Sequence, residues 1–258
     1  MSTPPTPHVD VHRGGDRAKT QVSWLDSKHS FSFGDHYDPD NTHHGLLLVH
    51  NEDIVTAGQG FETHPHRDME IVTWVLGGSL VHQDSLGHSG VIYPGLAQRM
   101  SAGTGILHSE KNDSWRLDSR VREHDRPVHF VQMWVVPDES GLSPGYQQLE
   151  IDDELASGGL VTVASGLPRY RDRTAITIKS SRCALHVARM AGGGQAIDLP
   201  DAPYLHVFVA RGEVDMEGVG VLATGDAVRS TRTGGQRVVA RRSAEILVWE
   251  MHARLGAF

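Results

Sequence analysis

Residues 69–80 read MEIVTWVLGGSL. A run rich in Ile, Val, Thr and Trp is β-type, and the Gly-Gly pair that ends it marks a turn. Outward from it the same kind of run recurs as GLLLVHN at 45–51, VHFVQMWVV at 128–136, LVTVA at 160–164, YLHVFVA at 204–210 and EILVWEM at 245–251. Gly, Pro, Asn and Asp clusters separate these runs, and no stretch keeps a helical period over three turns. Parallel α/β architectures are thereby excluded, and the predicted class is all-β, an antiparallel sandwich, jelly roll or barrel.

The central motif is repeated. WVLGGSL at 74–80 is echoed by FVARGEV at 208–214, which pairs Gly78 with Gly212 at an offset of 134 residues. Gly90 to Gly95 (GVIYPG) is echoed by Gly220 to Gly225 (GVLATG) at an offset of 130. Strand, turn, strand and turn recur in one order, as in a duplicated β-domain. The stretch PDESGLSPG at 137–145 breaks every pattern and marks the junction. Three segments follow: a mobile arm over residues 1–20, where STPPTP and HRGGDR carry no hydrophobic period, a first domain over 21–140, and a second over 141–258.

Composition narrows the function. The chain has 258 residues, 38% hydrophobic and 22% charged, which is ordinary for a globular protein with a substantial core. Its net charge of -8, from 32 acidic and 24 basic side chains, is the wrong sign for binding phosphates or anionic lipid, so neither nucleic acid nor a membrane is expected as a direct partner. The single Cys183 allows no internal disulfide, and no apolar run of signal-peptide or membrane-spanning type is visible, so a cytoplasmic setting is the expectation. Seventeen histidines make metal chemistry worth pursuing.

Two short-spaced donor pairs stand out. His64 and His66, in GQGFETHPHRDME at 58–70, lie two apart, so on a strand both imidazoles face one side. His108 and Glu110, in AGTGILHSEKN at 102–112, repeat the spacing 44 residues on. Converging inside a barrel, they would offer three imidazoles and one carboxylate with open coordination positions. Such donors suit Fe(II), and Mn, Co, Ni, Cu or Zn are chemically admissible; the absence of thiolates argues against a structural zinc site.

At these residues the chain resembles a known family. Gly58, His64, His66, Glu70 and Gly77 satisfy the first cupin motif, G-x5-H-x-H-x3-E-x6-G, and Gly105, His108 and Asn112 keep part of the second. The fuller wording, WLDSKHSFSFGDHYDP at 24–39 together with the runs at 58–88 and 101–112, is similar to the pirins. The resemblance implies a bicupin of two stacked antiparallel β-barrel domains. It further implies one metal ion per chain, usually iron, held by His64, His66, His108 and Glu110. In the general cupin pattern Glu70 takes the carboxylate's place, so Glu70 stays as an alternate ligand or catalytic carboxylate beside Glu110. The offset of 134 aligns Asp198 and Pro200 with His64 and His66, and no H-x-E occurs near 237–240, so the second domain is expected to lack metal ligands.

Other candidates receive structural readings. His82 and His88 are expected at a turn or rim, with contact to substrate as the alternative, and His43, His44 and the charged run 169–173 in solvent. His206 is expected to be a hydrogen-bonded core residue. In VHFVQMWVV, His129, Val131 and Met133 share one face and Phe130, Gln132 and Trp134 the other; Trp134 is expected in ordinary core packing, with a pocket wall of Gln132 and Trp134 as the alternative.

The resemblance implies an enzyme first: a quercetin 2,3-dioxygenase-like oxidoreductase that binds a flavonol or related phenol at the metal and cleaves it with O2. The second reading is a non-catalytic, iron-dependent regulator that binds a transcription factor or metabolic enzyme. A sugar-isomerase or storage type of cupin ranks third.

Overall fold

A computed structural model of the chain describes residues 6–113 and 126–256. In chain order its first strands are β1 (His8–His12), β2 (Ala18–Gln21), β3 (Leu25–His29), β4 (Leu47–Val55), β5 (Gly60–His66), β6 (Glu70–Gly77), β7 (Leu80–Asp84), β8 (Ser89–Ile92), β9 (Leu96–Ser101), β10 (Ile106–Lys111), β11 (Val128–Val135) and β12 (Gly145–Glu150). After one α-helical turn, Asp152–Leu155, come β13 (Val161–Ser165), β14 (Ile176–Thr177), β15 (Cys183–Met190), β16 (Ala196–Asp198), β17 (Tyr204–Arg211) and β18 (Glu213–Met216). The last are β19 (Gly220–Ala223), β20 (Ala227–Thr231), β21 (Arg237–Ala240) and β22 (Ala244–Met251).

The strands form two pairs of sheets. A seven-stranded sheet, β12-β9-β6-β11-β4-β3-β2, is joined to a four-stranded one, β5-β10-β7-β8, by the buried side chains of Leu25, Val55, Val75, Leu80, Ile92 and Phe130. In the second half β1-β20-β17-β22-β15-β13-β14 packs in the same way on β16-β21-β18-β19, through Val207, Val214, Leu222, Val238 and Ile246. The two large sheets then share a central core in which Val72, Trp74, Val131 and Met133 meet Leu185, Phe208, Leu247 and Trp249. β6 is thus covered on both faces, which is why MEIVTWVL reads as a continuous apolar run with no alternation.

The sequence repeat is a structural repeat. Position by position in the sheet orders, β6, β9, β11 and β4 of the first half correspond to β17, β20, β22 and β15 of the second. Gly78 and Gly212 stand at equivalent turns with φ of 74° and 82°. A side chain is barred at both by the backbone that begins the next paired strand: a Cβ would lie 2.9 Å from the Pro127 carbonyl oxygen in one case and 1.9 Å from that of Ser243 in the other.

Two expectations about segment limits are corrected. Residues 8–12 and 18–21, placed by composition in a mobile arm, are strands; residues 1–5 of that arm lie outside the described residues. β1 pairs with β20 from His8 opposite Thr231 to His12 opposite Ala227, and so belongs to the sheet of the second half. Asp226 fastens its end, accepting from Arg13 at 2.7 Å and from the Gly14 amide at 2.8 Å. The border at 140/141 likewise precedes β12, which pairs with β9 in the first half's sheet. Both are edge strands held by backbone ladders, and an edge strand needs no apolar period to find its place.

Candidate metal centre

β5 and β10 are antiparallel neighbours with His64 opposite His108 and Phe61 opposite Glu110 across a bulge. Gly60 permits the close approach there, because a Cβ on it would lie 2.3 Å from the Glu110 carbonyl oxygen. Strand alternation turns His64, His66, His108 and Glu110 to the interior. The imidazole centroids of His64, His66 and His108 lie 4.5–4.9 Å apart, and their nitrogens are all within 4.8 Å of one another. The structure brings these three histidines together, with Glu110 two residues beyond His108 on β10.

β7 flanks β10 on the other side with His82 opposite Glu110. His82 is fully buried, and its ligand atom, with those of His108 and Glu110, makes a second set within the same 4.8 Å. The expectation of a turn or rim residue is therefore corrected. In LVHQDSLGH a spacing of two residues pairs His82 with Asp84, and only the register against Glu110 reveals its place beside the cluster. Its Nε2 faces Asp84 Oδ2 at 3.3 Å, and Asp84 also binds the ring of His88.

The donor atoms are in the state a cation requires. His64 donates through Nδ1 to the Glu62 carbonyl at 2.7 Å, which fixes the tautomer and leaves the Nε2 lone pair to the site. His66 Nε2, both ring nitrogens of His108 and His82 Nδ1 are buried with no hydrogen-bond partner. Buried polar atoms are rarely left so, and their gathering with Glu110 suits a cation. Burial, with His108 and His64 alongside, pushes His66 down to about 4, and burial lowers His108 as well, so both imidazoles are neutral. Burial works to raise the Glu110 carboxyl, but His108, His82, the Gln132 amide and His64 together hold it below the usual range. Neutral imidazoles and an ionised carboxylate fit a divalent metal.

β11 orients the carboxylate. Gln132 donates through Nε2 to both Glu110 oxygens, at 2.9 and 2.7 Å, while Trp134 donates through Nε1 to Gln132 Oε1 at 3.0 Å. Trp134 also meets His66 edge to face, with centroids 4.8 Å apart. The alternative reading of Trp134 and Gln132 as a pocket wall is the one the structure supports. They border a cavity of about 340 Å³ that opens beside His64, His66 and Glu110, with Phe33 and Phe61 among its walls.

Glu70 is not among these groups. It begins β6 opposite Val135, on the face turned to the other half, where its Oε2 accepts from the Lys179 amide at 3.0 Å. Ser101 and Arg99 stand beside it. The spacing that completes the general cupin motif here serves the junction between halves. Two further expectations change. His206 is buried, but neither ring nitrogen has a partner; and His44 packs on Tyr204 and reaches the Ser230 carbonyl. The charged residues of 169–173 are exposed, with Arg169 reaching buried Glu250.

A family model described as Pirin matches residues 12–135. A Mycobacterium tuberculosis protein provisionally named quercetin 2,3-dioxygenase is 59% identical over 251 residues, 97% of this chain and 98% of its own length. The chain belongs to the pirin family. The quercetin 2,3-dioxygenase of Escherichia coli K12 is 44% identical over 144 residues, 56% of this chain and 58% of that one. Among solved structures, YhhW of E. coli superposes with a TM-score of 0.82 at 32% identity over 95% of this chain and 97% of its own. The nickel(II) complex of the same pirin, YhhW, gives 0.82 at 31% identity, covering 95% and 100%. The paired sheets are thus the two cupin folds of a pirin, and a divalent metal ion suits its cluster of histidines and Glu110.

Proposed function

We propose that this pirin is a dioxygenase that cleaves flavonol-type phenols with O2, and that His64, His66, His108 and Glu110 hold one Fe(II) ion per chain for that purpose. The observation that carries the reading is the convergence of unpartnered ring nitrogens and Glu110 at the side of an aromatic-walled cavity. The names of the relatives point the same way.

When bound, the ion supplies Lewis acidity that favours a deprotonated phenol, and the redox capacity for O2 chemistry. The remaining work falls to the chain. Phe33, Phe61 and Trp134 line the cavity and suit a planar ring system. Glu110 is the carboxylate nearest the donor histidines and the group placed to take a phenol proton, its two oxygens steadied by Gln132. Glu70, turned to the other face, takes no part. His82 stands as a fifth donor, in a set with His108 and Glu110 that has His108 in common with His64 and His66.

The second half supports a count of one ion. By strand register, Val238 and Met216 occupy the places of Glu110 and His82, and both are buried in that half's apolar core. Among the described residues of that half, no three His, Cys, Asp or Glu side chains gather as the donors of the first half do.

The test is anaerobic loading with Fe(II), then O2 consumption and CO release with quercetin, with His108→Ala as control. Metal-dependent O2 uptake with CO release is the expected result. Stoichiometric iron with no turnover of quercetin or related phenols would overturn the enzymatic reading and direct the search to an iron-dependent protein partner.

A further inference from the structure

The cavity beside the metal ligands has a second polar bank, contributed by β2, β3 and β4. Thr20, His29 and Asn51 on that bank satisfy one another: Thr20 Oγ1 lies 2.8 Å from His29 Nε2, and His29 Nδ1 lies 3.0 Å from Asn51 Oδ1. Asp53, beside them on β4, does not close the chain. It is 4% exposed and lines the cavity, Ser27 is its hydrogen-bonding neighbour, and its Oδ1 has no partner. The nearest cation is spent elsewhere, since Arg17 donates to Glu52 at 2.6 Å and to the Lys28 carbonyl at 2.8 Å. Among the described residues that line this cavity, only His66, a metal donor, shares with Asp53 the condition of a buried side-chain atom lacking a partner.

A buried acceptor without a donor is costly, and in a binding cavity the missing donor is most simply the ligand. Position agrees. Asn51 pairs with Gln132, the residue that holds Glu110, and Asp53 lies two residues further along β4 opposite Phe130. One strand across and two residues along is a backbone separation of about 8 Å, within the length of a fused-ring phenol.

We propose that Asp53 is a specificity determinant of this site, accepting a hydrogen bond from a second hydroxyl of a polyhydroxylated phenol whose first hydroxyl sits at the metal ligands. The inference rests on the reading of the cavity as a phenol site. It adds that the preferred substrates carry a further hydroxyl remote from the chelating one, and that phenols lacking it are disfavoured. A site built to pair with a hydroxyl rejects the analogue without it strongly, because the buried acceptor is then left bare.

The experiment compares quercetin with 3-hydroxyflavone, which keeps the chelating hydroxyl and carbonyl and lacks every other hydroxyl. Nickel-loaded protein is titrated anaerobically with each, after metal content and melting temperature are recorded. The wild type is expected to favour quercetin by about tenfold or more in Kd. Asp53→Leu brings the two affinities to within about twofold, whereas Asp53→Asn, which keeps an acceptor oxygen, retains most of the preference. Should Asp53→Leu fail to fold, the wild-type crystal structure with quercetin decides, the expected contact being a hydroxyl within about 3.2 Å of the Asp53 carboxyl. Equal wild-type affinities, a preference unchanged in Asp53→Leu, or a bound quercetin with no hydroxyl at Asp53 would overturn the inference while leaving the phenol reading intact. Wild-type protein that binds neither flavonol overturns both.

Discussion

The side-chain amide of Gln132 donates to both carboxylate oxygens of Glu110, at 2.9 and 2.7 Å, and is itself held by the Trp134 indole. Groups one step removed from a metal commonly set its affinity by fixing a ligand's rotamer and basicity. Gln132→Leu keeps the volume and removes the donor, so metal affinity should fall by about tenfold or more while the fold survives. Competition against a chromogenic chelator reads this directly. An unchanged Kd for metal would mean that Glu110 needs no such support.

Glu70 and His108, one from each cupin motif, take separate roles. His108 is buried among the donors with neither ring nitrogen partnered, and His108→Ala is expected to lose stoichiometric metal. Glu70 accepts from the Lys179 amide across the junction of the halves. Glu70→Ala should keep a full equivalent of metal and lose about 1–3 kcal/mol of stability, because a buried amide is left unpaired. Loss of metal from the Glu70 variant would return that residue to the ligand set.

The fold was legible wherever a strand is apolar, and the site wherever ligands come in pairs. MEIVTWVL and its counterparts announce strands because both faces of β6 are buried, and His64/His66 and His108/Glu110 announce a site because strand periodicity turns each pair to one side. The remaining features depend on partners far along the chain. β3, LDSKH, buries Leu25, Ser27 and His29, and β4 carries Asn51, Glu52 and Asp53 through its buried stretch. Around a metal cavity the interior is polar, so β3 and the second half of β4 show an inverted pattern that no apolar run announces. Asp53 was missed for this reason, and His82 because its place depends on register against Glu110. Nor does any local signal reveal that β1 crosses to the other half's sheet.

That crossing has a measurable consequence. Removing residues 1–14 strips β1 from β20 and takes from Asp226 the Arg13 guanidinium and the Gly14 amide. Asp226 is then a partly buried carboxylate with only the Ala223 amide left to it, a loss of about 1–3 kcal/mol before any effect of the missing strand. The bare edge of β20 is also free to pair with another chain. A lower melting temperature and concentration-dependent association in sedimentation are expected. A truncated protein that is monomeric and as stable as the whole chain would show that β1 contributes nothing.

His50 and His206 meet at the junction of the two large sheets, ring centroids 4.7 Å apart, and both are fully buried. Burial, then the nearby Arg17, lowers His50 to about 3; burial, His50 and Arg229 drive His206 well below its ordinary value. An imidazole whose folded value is depressed contributes its full stability above the unfolded value of about 6.5 and loses it as pH falls toward the folded one. At pH 4.5 His50 should cost about 2–3 kcal/mol relative to neutral pH, and His206 adds a cost of the same sign. His206→Phe removes one of the two and leaves no hydrogen bond broken, since neither ring nitrogen has a partner. Its stability in urea should therefore fall less between pH 7.5 and 4.5 than that of the wild type. Protonation of the donor histidines acts on both proteins alike and cancels in the comparison. If the two stabilities fall in parallel, the acid sensitivity of this pirin lies outside the junction.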